Sequence, residues 1–448
     1  MISVVLCILA FSCALVAGRR SLVGGLAIVL FFGYAYGITR ANITETFAHF
    51  IFDAAAVGLY FSQMSRRFDP EERSRLQKLR LWMGLLMLWP ALLFFVPAQD
   101  RMVELVGLRG AVLLIPFLLI GARLRNDELY KLTLWIAGLN LLAFSLATAE
   151  YFMGVQNFYP RNPVTEIIYA GRDLVGFTEF RIPSSFTSAH AYAGTMVMTI
   201  PLLVGAWQQK RLNRWRGYFF SGAVIASILG VFMSAARTHA AVLFLLLGVA
   251  TISSRFNWLS RIGWMVMLVG IGWTVSSEER LQRFVTLQDT EVVASRVYFS
   301  VNRTFFERAL EYPLGNGLGG GGTSMPYFLR GLVKDPVLIE NEYARIMLEE
   351  GIPGLCLWVA FIVWVFTRRL SRVRDGWQLG RRLVWFSCAA YFTLGLTGVG
   401  LLLSVPQTCV MLLCVGWMVV PQPGPVEKAT TVYAGASGDQ RISARQHA

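Results

Sequence analysis

The sequence predicts an all-α polytopic membrane protein with about 12–13 transmembrane helices, and two observations carry this prediction. The 448 residues are 55% hydrophobic with a mean hydropathy of +0.53, and only 15% of them are charged. Soluble domains normally carry about 25% charged residues. Apolar runs of about 17–20 residues, the length of a membrane-spanning helix, recur along the chain. A large water-soluble core is therefore excluded.

Short polar stretches separate the apolar runs, and each run is interpreted as one span of a single transmembrane unit, residues 1–420. The last two runs are barely separated, which leaves the count at 12 or 13. The runs cover residues 2–18, 21–37, 46–64, 81–98, 104–121, 129–149, 186–207, 217–235, 238–253, 262–277, 346–367, 383–402 and 404–420.

The net charge of +14 follows the predicted topology rather than indicating nucleic-acid binding. When the connections between runs are numbered alternately, the basic ones fall on one side and hold more than half of the 41 Lys and Arg residues. The positive-inside rule makes that side cytoplasmic. These connections are residues 19–20, 65–80, 121–131, 208–216, 254–261 and 368–382.

The ends of the chain and its cysteines predict neither a soluble domain nor a metal centre. The first run lacks a small-residue cleavage site followed by a soluble domain, so it is predicted to be an anchor rather than a signal peptide. The six cysteines lie in apolar stretches without CxxC spacing, and the four histidines lack ligand spacing. No cofactor is expected. Residues 421–448, polar and rich in small residues, are predicted to form a disordered cytoplasmic tail.

Two long connections fall on the predicted outer face, at about residues 150–185 and 277–345. Long loops in a compact protein are usually functional. Both loops carry several arginines on the side that should be poor in them. Guanidinium groups bind phosphate bidentately and stay charged. The set therefore predicts anion binding, although individual arginines can also form ordinary surface ion pairs with glutamate or aspartate.

Residues 296–312 (RVYFSVNRTFFERALEY) contain neither Gly nor Pro, and they mix Arg and Glu with aromatic residues. Helical spacing places Arg296 and Arg303 on one face, and Pro313 ends the helix because its ring cannot continue the hydrogen-bond ladder. The second outer loop is thus predicted to be partly helical, with an amphipathic helix on the membrane surface. The run GNGLGGGG (315–322) then exposes backbone N–H groups that suit an anion, and a flexible linker explains it equally well.

Four motifs in this order resemble the O-antigen ligase/polymerase superfamily (the WaaL and Wzy proteins) of bacterial membrane glycosyltransferases. They are RIPSSFTSAHAYAGTMVMTIPLL (181–203), MSAARTHAAVL (233–243), Arg296 ahead of YPLGNGLGGG (312–321), and IENEYARIMLEEGIPGLCLW (339–358). The resemblance covers about residues 175–365. It implies a GT-C-like fold and the inverting, metal-independent transfer of a glycan from undecaprenyl pyrophosphate, outside the cytoplasmic membrane. In two places the chain departs from the family: Glu340 stands where ligases have His, and His190 where Asn is common.

The resemblance also implies the site. Fixed cations beside the leaving pyrophosphate would lower the barrier, and a general base would help the attacking sugar hydroxyl. Glu340 is the first choice of base, ahead of Glu342 and His190, and an orienting role for Glu340 is equally open. The candidate catalytic residues are Arg181, Arg237, Arg296 and Glu340, and the candidate substrate-binding residues are Arg303, Arg308, His190, Glu342, Asn341, Tyr343, Gly315, Gly317 and Gly319.

The expected function is polymerisation of a bacterial surface polysaccharide, such as O-antigen or exopolysaccharide, at the extracytoplasmic face of the inner membrane. The resemblance implies a lipid-linked glycan as substrate and a chain-length regulator or flippase as partner. One alternative is a ligase that transfers glycan to lipid A core or to a protein. The other is a lipid or sugar transporter, for which the sequence shows no repeated halves.

Overall fold

The computed structural model describes most of the chain, and every structural statement below refers to these described residues. They are residues 1–64, 69–173, 180–209, 213–253, 262, 265, 269, 305–322, 325–337, 341–368, 376–398 and 402–420. The predicted tail, residues 421–448, lies outside them. The part of the second predicted outer loop that precedes residue 305, residues 277–304, also lies outside them.

The described residues form helices without a β-strand. The α-helices are α1 (Ile2–Arg20), α2 (Leu22–Asn42), α3 (Ile51–Met64), α4 (Pro70–Leu93), α5 (Arg101–Val112), α6 (Phe117–Arg123), α7 (Asn126–Met153), α8 (Glu166–Asp173), α9 (Ala189–Trp207), α10 (Arg214–Met233), α11 (Arg237–Ser253), α12 (Phe305–Glu311), α13 (Glu342–Thr367), α14 (Gln378–Leu394) and α15 (Gln407–Val419). Short 3-10 helices cover Thr46–Phe50, Val155–Asn157 and Tyr327–Leu332.

In the described part of the chain, 7 helical segments are long and apolar enough to cross a membrane. The protein is therefore an all-α polytopic membrane protein, as predicted. These segments are α1, α2, α5 together with α6, α7, α9, α10 and α13.

The count is lower than the 12–13 spans predicted, for three physical reasons. The helices at four other apolar runs, α3, α11, α14 and α15, have only 13 to 17 residues. Charged residues occupy the first turns of α4, which shortens its apolar part. The predicted run at 262–277 falls almost entirely outside the described residues.

Small residues let helices approach backbone to backbone, as expected where lipid removes the hydrophobic drive for helix association. A Cβ atom on Gly121 of α6 would lie 1.9 Å from the Leu413 carbonyl oxygen of α15, and one on Gly416 would lie 1.9 Å from the Leu118 oxygen. Only glycine allows this contact between α6 and α15. The two helices therefore form one tightly packed pair.

A buried polar network ties four helices together around Asn140 of α7. Its amide group donates 2.8 Å hydrogen bonds to Thr199 of α9 and to Ser227 of α10, and its oxygen accepts from Tyr34 of α2. Asn140, Thr199 and Ser227 are fully buried. The Asn140 amide thus donates two hydrogen bonds and accepts one, each with a different helix. The network therefore fixes the relative positions of these helices.

Two spanning segments are interrupted. Residues 113–116 form turns between α5 and α6. In α13, Gly351 has φ 72° and ψ −178°, a conformation that breaks the helix and favours glycine. Residues 313–316 pack against this break, with Asn316 N donating to Leu348 O at 2.7 Å and Ile352 N to Pro313 O at 2.9 Å. The glycine-rich segment is therefore part of the folded bundle.

Candidate functional site

Three of the sequence-predicted site residues, Arg296, Arg303 and Glu340, lie outside the described residues, and so does the side chain of Arg308. The remaining ones fall into two groups. The first is at the start of α9 and α11 and contains Arg181, His190 and Arg237. The second comprises the start of α13 and the glycine-rich segment that packs against its break.

Arg181 and His190 are brought into direct contact by the segment that leads into α9. The Nη1 atom of Arg181 lies 2.8 Å from Nε2 of His190. Arg181 is half-buried and His190 is exposed, so the pair faces solvent. Ser188 starts the helix two residues before His190 by accepting a 3.2 Å hydrogen bond from Ala191 N.

This contact determines the protonation pattern of His190. A guanidinium group has no acceptor, so Nε2 of the imidazole must carry the lone pair that receives the Arg181 proton. The His190 ring is therefore neutral in this arrangement, with its hydrogen on Nδ1. The lone pair that a general base would need is directed at Arg181. In this arrangement His190 therefore holds the Arg181 side chain rather than accepting a proton from a substrate.

A second histidine, His239 of α11, completes the cluster. Its ring centroid lies 5.8 Å from that of His190 and 5.8 Å from that of Tyr391 on α14. His239 is buried, and it follows Arg237, the half-buried first residue of α11, by two positions. The hydroxyl of Tyr391 donates to the Gly194 carbonyl at 3.2 Å, which holds α14 against α9.

Two helix N-termini meet at this cluster. His190 is the second residue of α9 and His239 the third of α11, and these helices contain 19 and 17 residues. The N-terminus of a helix presents unsatisfied N–H groups and the positive end of its dipole. With Arg181 and Arg237 beside them, the two ends create a local environment that favours an anion.

The segment that carries Arg181 is clamped from several sides. The backbone of Ser184 has φ 52°, and its N–H donates a 2.8 Å hydrogen bond to Oε2 of Glu150. The Tyr159 hydroxyl donates to the Phe186 carbonyl at 2.9 Å and also to the Ser184 carbonyl. Burial raises the pKa of the Tyr159 phenol well above its ordinary value, which keeps this donor protonated.

Helix α2 supplies the third side of the clamp. Ile38 N donates to the Ser185 carbonyl at 3.0 Å, although Ile38 lies within a helix. At Gly37 a Cβ atom would lie 1.9 Å from the Phe186 carbonyl carbon, so only glycine allows this approach. Together these contacts hold residues 182–187 in one conformation, and with them Arg181.

In the second group, Asn341 and Tyr343 organise the start of α13. Oδ1 of Asn341 caps the helix by accepting from Tyr343 N at 2.8 Å and from Ala344 N at 3.1 Å. The Tyr343 hydroxyl donates to the Phe392 carbonyl at 2.6 Å. Phe392 follows Tyr391, so the start of α13 rests on the end of α14 that also contacts His239.

Glu342 is an ion-pair partner in this structure. Its Oε1 atom accepts from Nε of Arg345 at 2.9 Å and from Nη2 at 2.7 Å, and both side chains are almost fully buried. Of the arginines in the two long loops, Arg330 forms an exposed 3.5 Å pair with Glu166. Arg330 and Arg345 therefore each pair with a glutamate in this structure, Arg330 at the surface and Arg345 in the interior.

The glycines at 315, 317 and 319 have φ values of 87°, 100° and 79°, so each favours glycine. They pack closely against neighbouring residues: added Cβ atoms would lie 2.9 Å from Glu349 O, 2.6 Å from Ala98 Cβ and 2.7 Å from Val103 O, respectively. Several N–H groups of this segment already donate within the protein, among them those of residues 315, 316, 320 and 322. These N–H groups are therefore engaged in the fold.

Sequence reasoning assigned no role to two residues of the first cluster. His239 had a signal, because it follows Arg237 by two residues in the motif MSAARTHAAVL. Tyr391 had none, since its contact with His239 joins α14 to α11 across about 150 residues of chain. Among the described residues, no group of three or more His, Cys, Asp or Glu side chains is arranged to hold a metal ion.

A scan against models of known protein families finds no match to this chain, and a search of curated proteins finds no relative.

Proposed function

We propose that this chain is a bacterial membrane glycosyltransferase of the O-antigen ligase/polymerase type, and specifically a polymerase of a surface polysaccharide. It would transfer a glycan from undecaprenyl pyrophosphate to a growing glycan, at the extracytoplasmic face of the inner membrane, on a GT-C-like fold. The observation that supports this proposal best is the Arg181–His190 pair, with His239 alongside, where the N-termini of α9 and α11 meet.

The cluster suits the chemistry of the leaving group. In the proposed reaction a sugar hydroxyl attacks the anomeric carbon and forms a C–O bond, while the bond from that carbon to the phosphate oxygen breaks. The lipid pyrophosphate leaves with the electron pair, so negative charge grows on its oxygen. Donors that are already in place before the reaction lower the barrier most effectively. Arg181, Arg237 and the two helix N-termini provide such donors.

The proton of the attacking hydroxyl needs an acceptor. Of the three carboxylate and imidazole candidates, Glu342 is engaged by Arg345 and the Nε2 lone pair of His190 by Arg181. Glu340 therefore remains the proposed base. Arg296 and Arg303 are proposed to add cations to the same anion from the second outer loop.

Reconstitution of the full-length chain tests the reaction. Proteoliposomes would receive undecaprenyl pyrophosphate-linked repeat units prepared from the organism that encodes the chain, and the products would be separated by size. A ladder of lengthening products is expected for the polymerase. One-step transfer to an added lipid A core or protein would instead indicate a ligase, and movement of intact lipid-linked glycan between leaflets a transporter.

Two variants test the site in the same assay. Arg181→Ala and Arg237→Ala should each lower kcat by about 100-fold, because each removes a donor to the leaving group. The Lys variants should restore little if the contact with the phosphate is bidentate. Arg330→Ala is the matched control, since that arginine lies in an exposed pair with Glu166. Full activity of both Ala variants would overturn the proposed site.

A further inference from the structure

A second cluster of charged residues lies at the break in α13 and plays no part in the proposed transfer. It contains Glu342, Arg345, Glu349 and Glu350, and all four are at most 3% exposed. Glu349 and Glu350 directly precede Gly351, where the helix is broken. Charged groups buried inside a membrane protein are costly and usually functional.

The hydrogen bonds of Arg345 account for two of the three carboxylates. Its Nε and Nη2 atoms donate to Glu342, and Nη1 donates to Oε2 of Glu349 at 2.7 Å. The positive charge of Arg345 balances one of these two carboxylates. If both are ionised, Arg345, Glu342 and Glu349 together carry a net charge of −1.

Glu350 adds a third carboxylate without a partner of its own. Within the described residues, no hydrogen bond or ion pair reaches its side chain, although its backbone carbonyl accepts from Nε1 of Trp89 at 2.8 Å. The cluster would carry a charge of −2 with all three glutamates ionised. Such a charge cannot persist in an apolar interior, because its transfer from water costs far more than a fold can supply.

A small cavity borders Glu350, and Arg345 is the other charged side chain in its wall. The remaining wall is apolar and includes Leu114 from the turn between α5 and α6, Trp358 and Leu412. The volume of about 10 Å³ is the space that the centre of one water molecule needs. A metal cation would require several oxygen ligands, and the Arg345 charge would repel it. A proton on Glu350, with a water molecule beside it, meets both constraints.

We propose that Glu350 is a proton-binding site: a neutral carboxylic acid held at the break of α13 beside a water-sized cavity. The proton removes the charge of the carboxylate to which Arg345 donates no hydrogen bond, and it reduces the net charge of the cluster from −2 to −1. Asn316 N donates to Leu348 O, and Ile352 N donates to Pro313 O, each two residues from Glu350. Loss of the proton would therefore place an uncompensated charge next to the contacts that dock the glycine-rich segment. The site thus couples proton binding to the position of that segment, whether or not the chain transfers glycans.

Infrared difference spectroscopy of the purified full-length protein at neutral pH tests the proposal. The wild type should show the carbonyl stretching band of a protonated carboxylic acid, and Glu350→Gln should lose it. Glu104→Gln is the matched control, because Glu104 is equally buried but accepts from Gln99 N and from Arg101. A spectrum in which Glu350→Gln leaves the band unchanged would overturn the proposal.

Two further measurements complete the test. The first applies if the Glu350→Gln variant does not fold, and the second tests whether a metal cation, rather than a proton, balances the charge. Glu150 is also fully buried, and one of its carboxyl oxygens has no hydrogen-bond partner. The carbonyl band should therefore survive in Glu150→Gln if Glu350 is the protonated acid. Complete loss of the band in Glu150→Gln would overturn its assignment to Glu350. Exchange of sodium chloride for choline chloride at equal ionic strength should leave the thermal midpoint of the wild type unchanged. Stabilisation that is specific to sodium would show that a metal ion rather than a proton balances the charge.

Discussion

Oε2 of Glu150, at the end of α7, accepts a 2.8 Å hydrogen bond from the backbone N–H of Ser184, 34 residues further along the chain. Ser184 is a non-glycine residue with a positive φ, a conformation that persists only where the surroundings enforce it. Arg181 lies three residues before it. The buried side chain of Glu150 thus fixes the segment that presents the arginine.

The first prediction concerns this contact. Glu150→Ala should destabilise the protein by about 1–3 kcal/mol, because the Ser184 N–H is left buried without an acceptor. It should also lower transfer, since Arg181 loses its fixed position. Glu150→Gln keeps an acceptor oxygen and should retain most of both properties. Thermal unfolding and the transfer assay measure these effects, with the exposed Glu166→Ala as control. Equal behaviour of the Ala and Gln variants would contradict the prediction.

The second prediction concerns the Arg181–His190 pair. If His190 acts by orienting Arg181, then Arg181→Ala combined with His190→Ala should be no slower than Arg181→Ala alone. His190→Gln, which offers an acceptor oxygen, should be faster than His190→Ala. The kcat and KM values of the four members of the cycle provide the measurement. Losses that add independently would show that His190 acts on its own.

The third prediction concerns the network around Asn140. Asn140→Leu should lower the free energy of unfolding by about 1 kcal/mol, because Tyr34 loses its acceptor within the membrane-embedded bundle. Ser145→Ala on the same helix is the control, since Ser145 is exposed and bonds only to the Leu141 carbonyl of its own helix. An equal thermal midpoint for Asn140→Leu and wild type would show that the network is dispensable.

The fourth prediction concerns topology. Alkaline phosphatase fused after Asn157, in the loop that follows α7, should be active, because the positive-inside rule places that loop outside. Fusion after Asn213, ahead of α10, should leave the enzyme inactive in the cytoplasm. The reverse pattern would place Arg181 and His190 in the cytosol, where the proposed extracytoplasmic reaction could not take place.

Much of the architecture was predictable from local sequence. Each apolar run in the described part of the chain contains helix, and α12 ends before Pro313, as expected. Helix lengths were not predictable from the apolar runs. A run ends at the first polar residues, whereas a helix ends where its backbone hydrogen bonds stop, and the two positions need not coincide. The run at 383–402 illustrates this: α14 stops at Leu394, within the run.

The candidate site shows the same division. The four motifs indicated Arg181, Arg237 and His190 as site residues, and all three lie near the meeting point of α9 and α11. The same reasoning placed Glu342 among the bases, whereas the structure pairs it with Arg345. Spacing along one helix gave no means to choose, because a glutamate three residues before an arginine can equally turn towards another helix.

The sequence by itself determined that this chain is a helical membrane protein, because hydrophobicity and run length are properties of neighbouring residues. Only the tertiary structure decided which polar groups meet. Contacts such as Arg181 with His190, His239 with Tyr391, and Asn316 with Leu348 depend on how helices pack, and packing is set by shape across the whole bundle. In a bilayer these few polar contacts distinguish the native packing from other arrangements, because a buried charged group is stable only when it is paired with an opposite charge or neutralised by a proton.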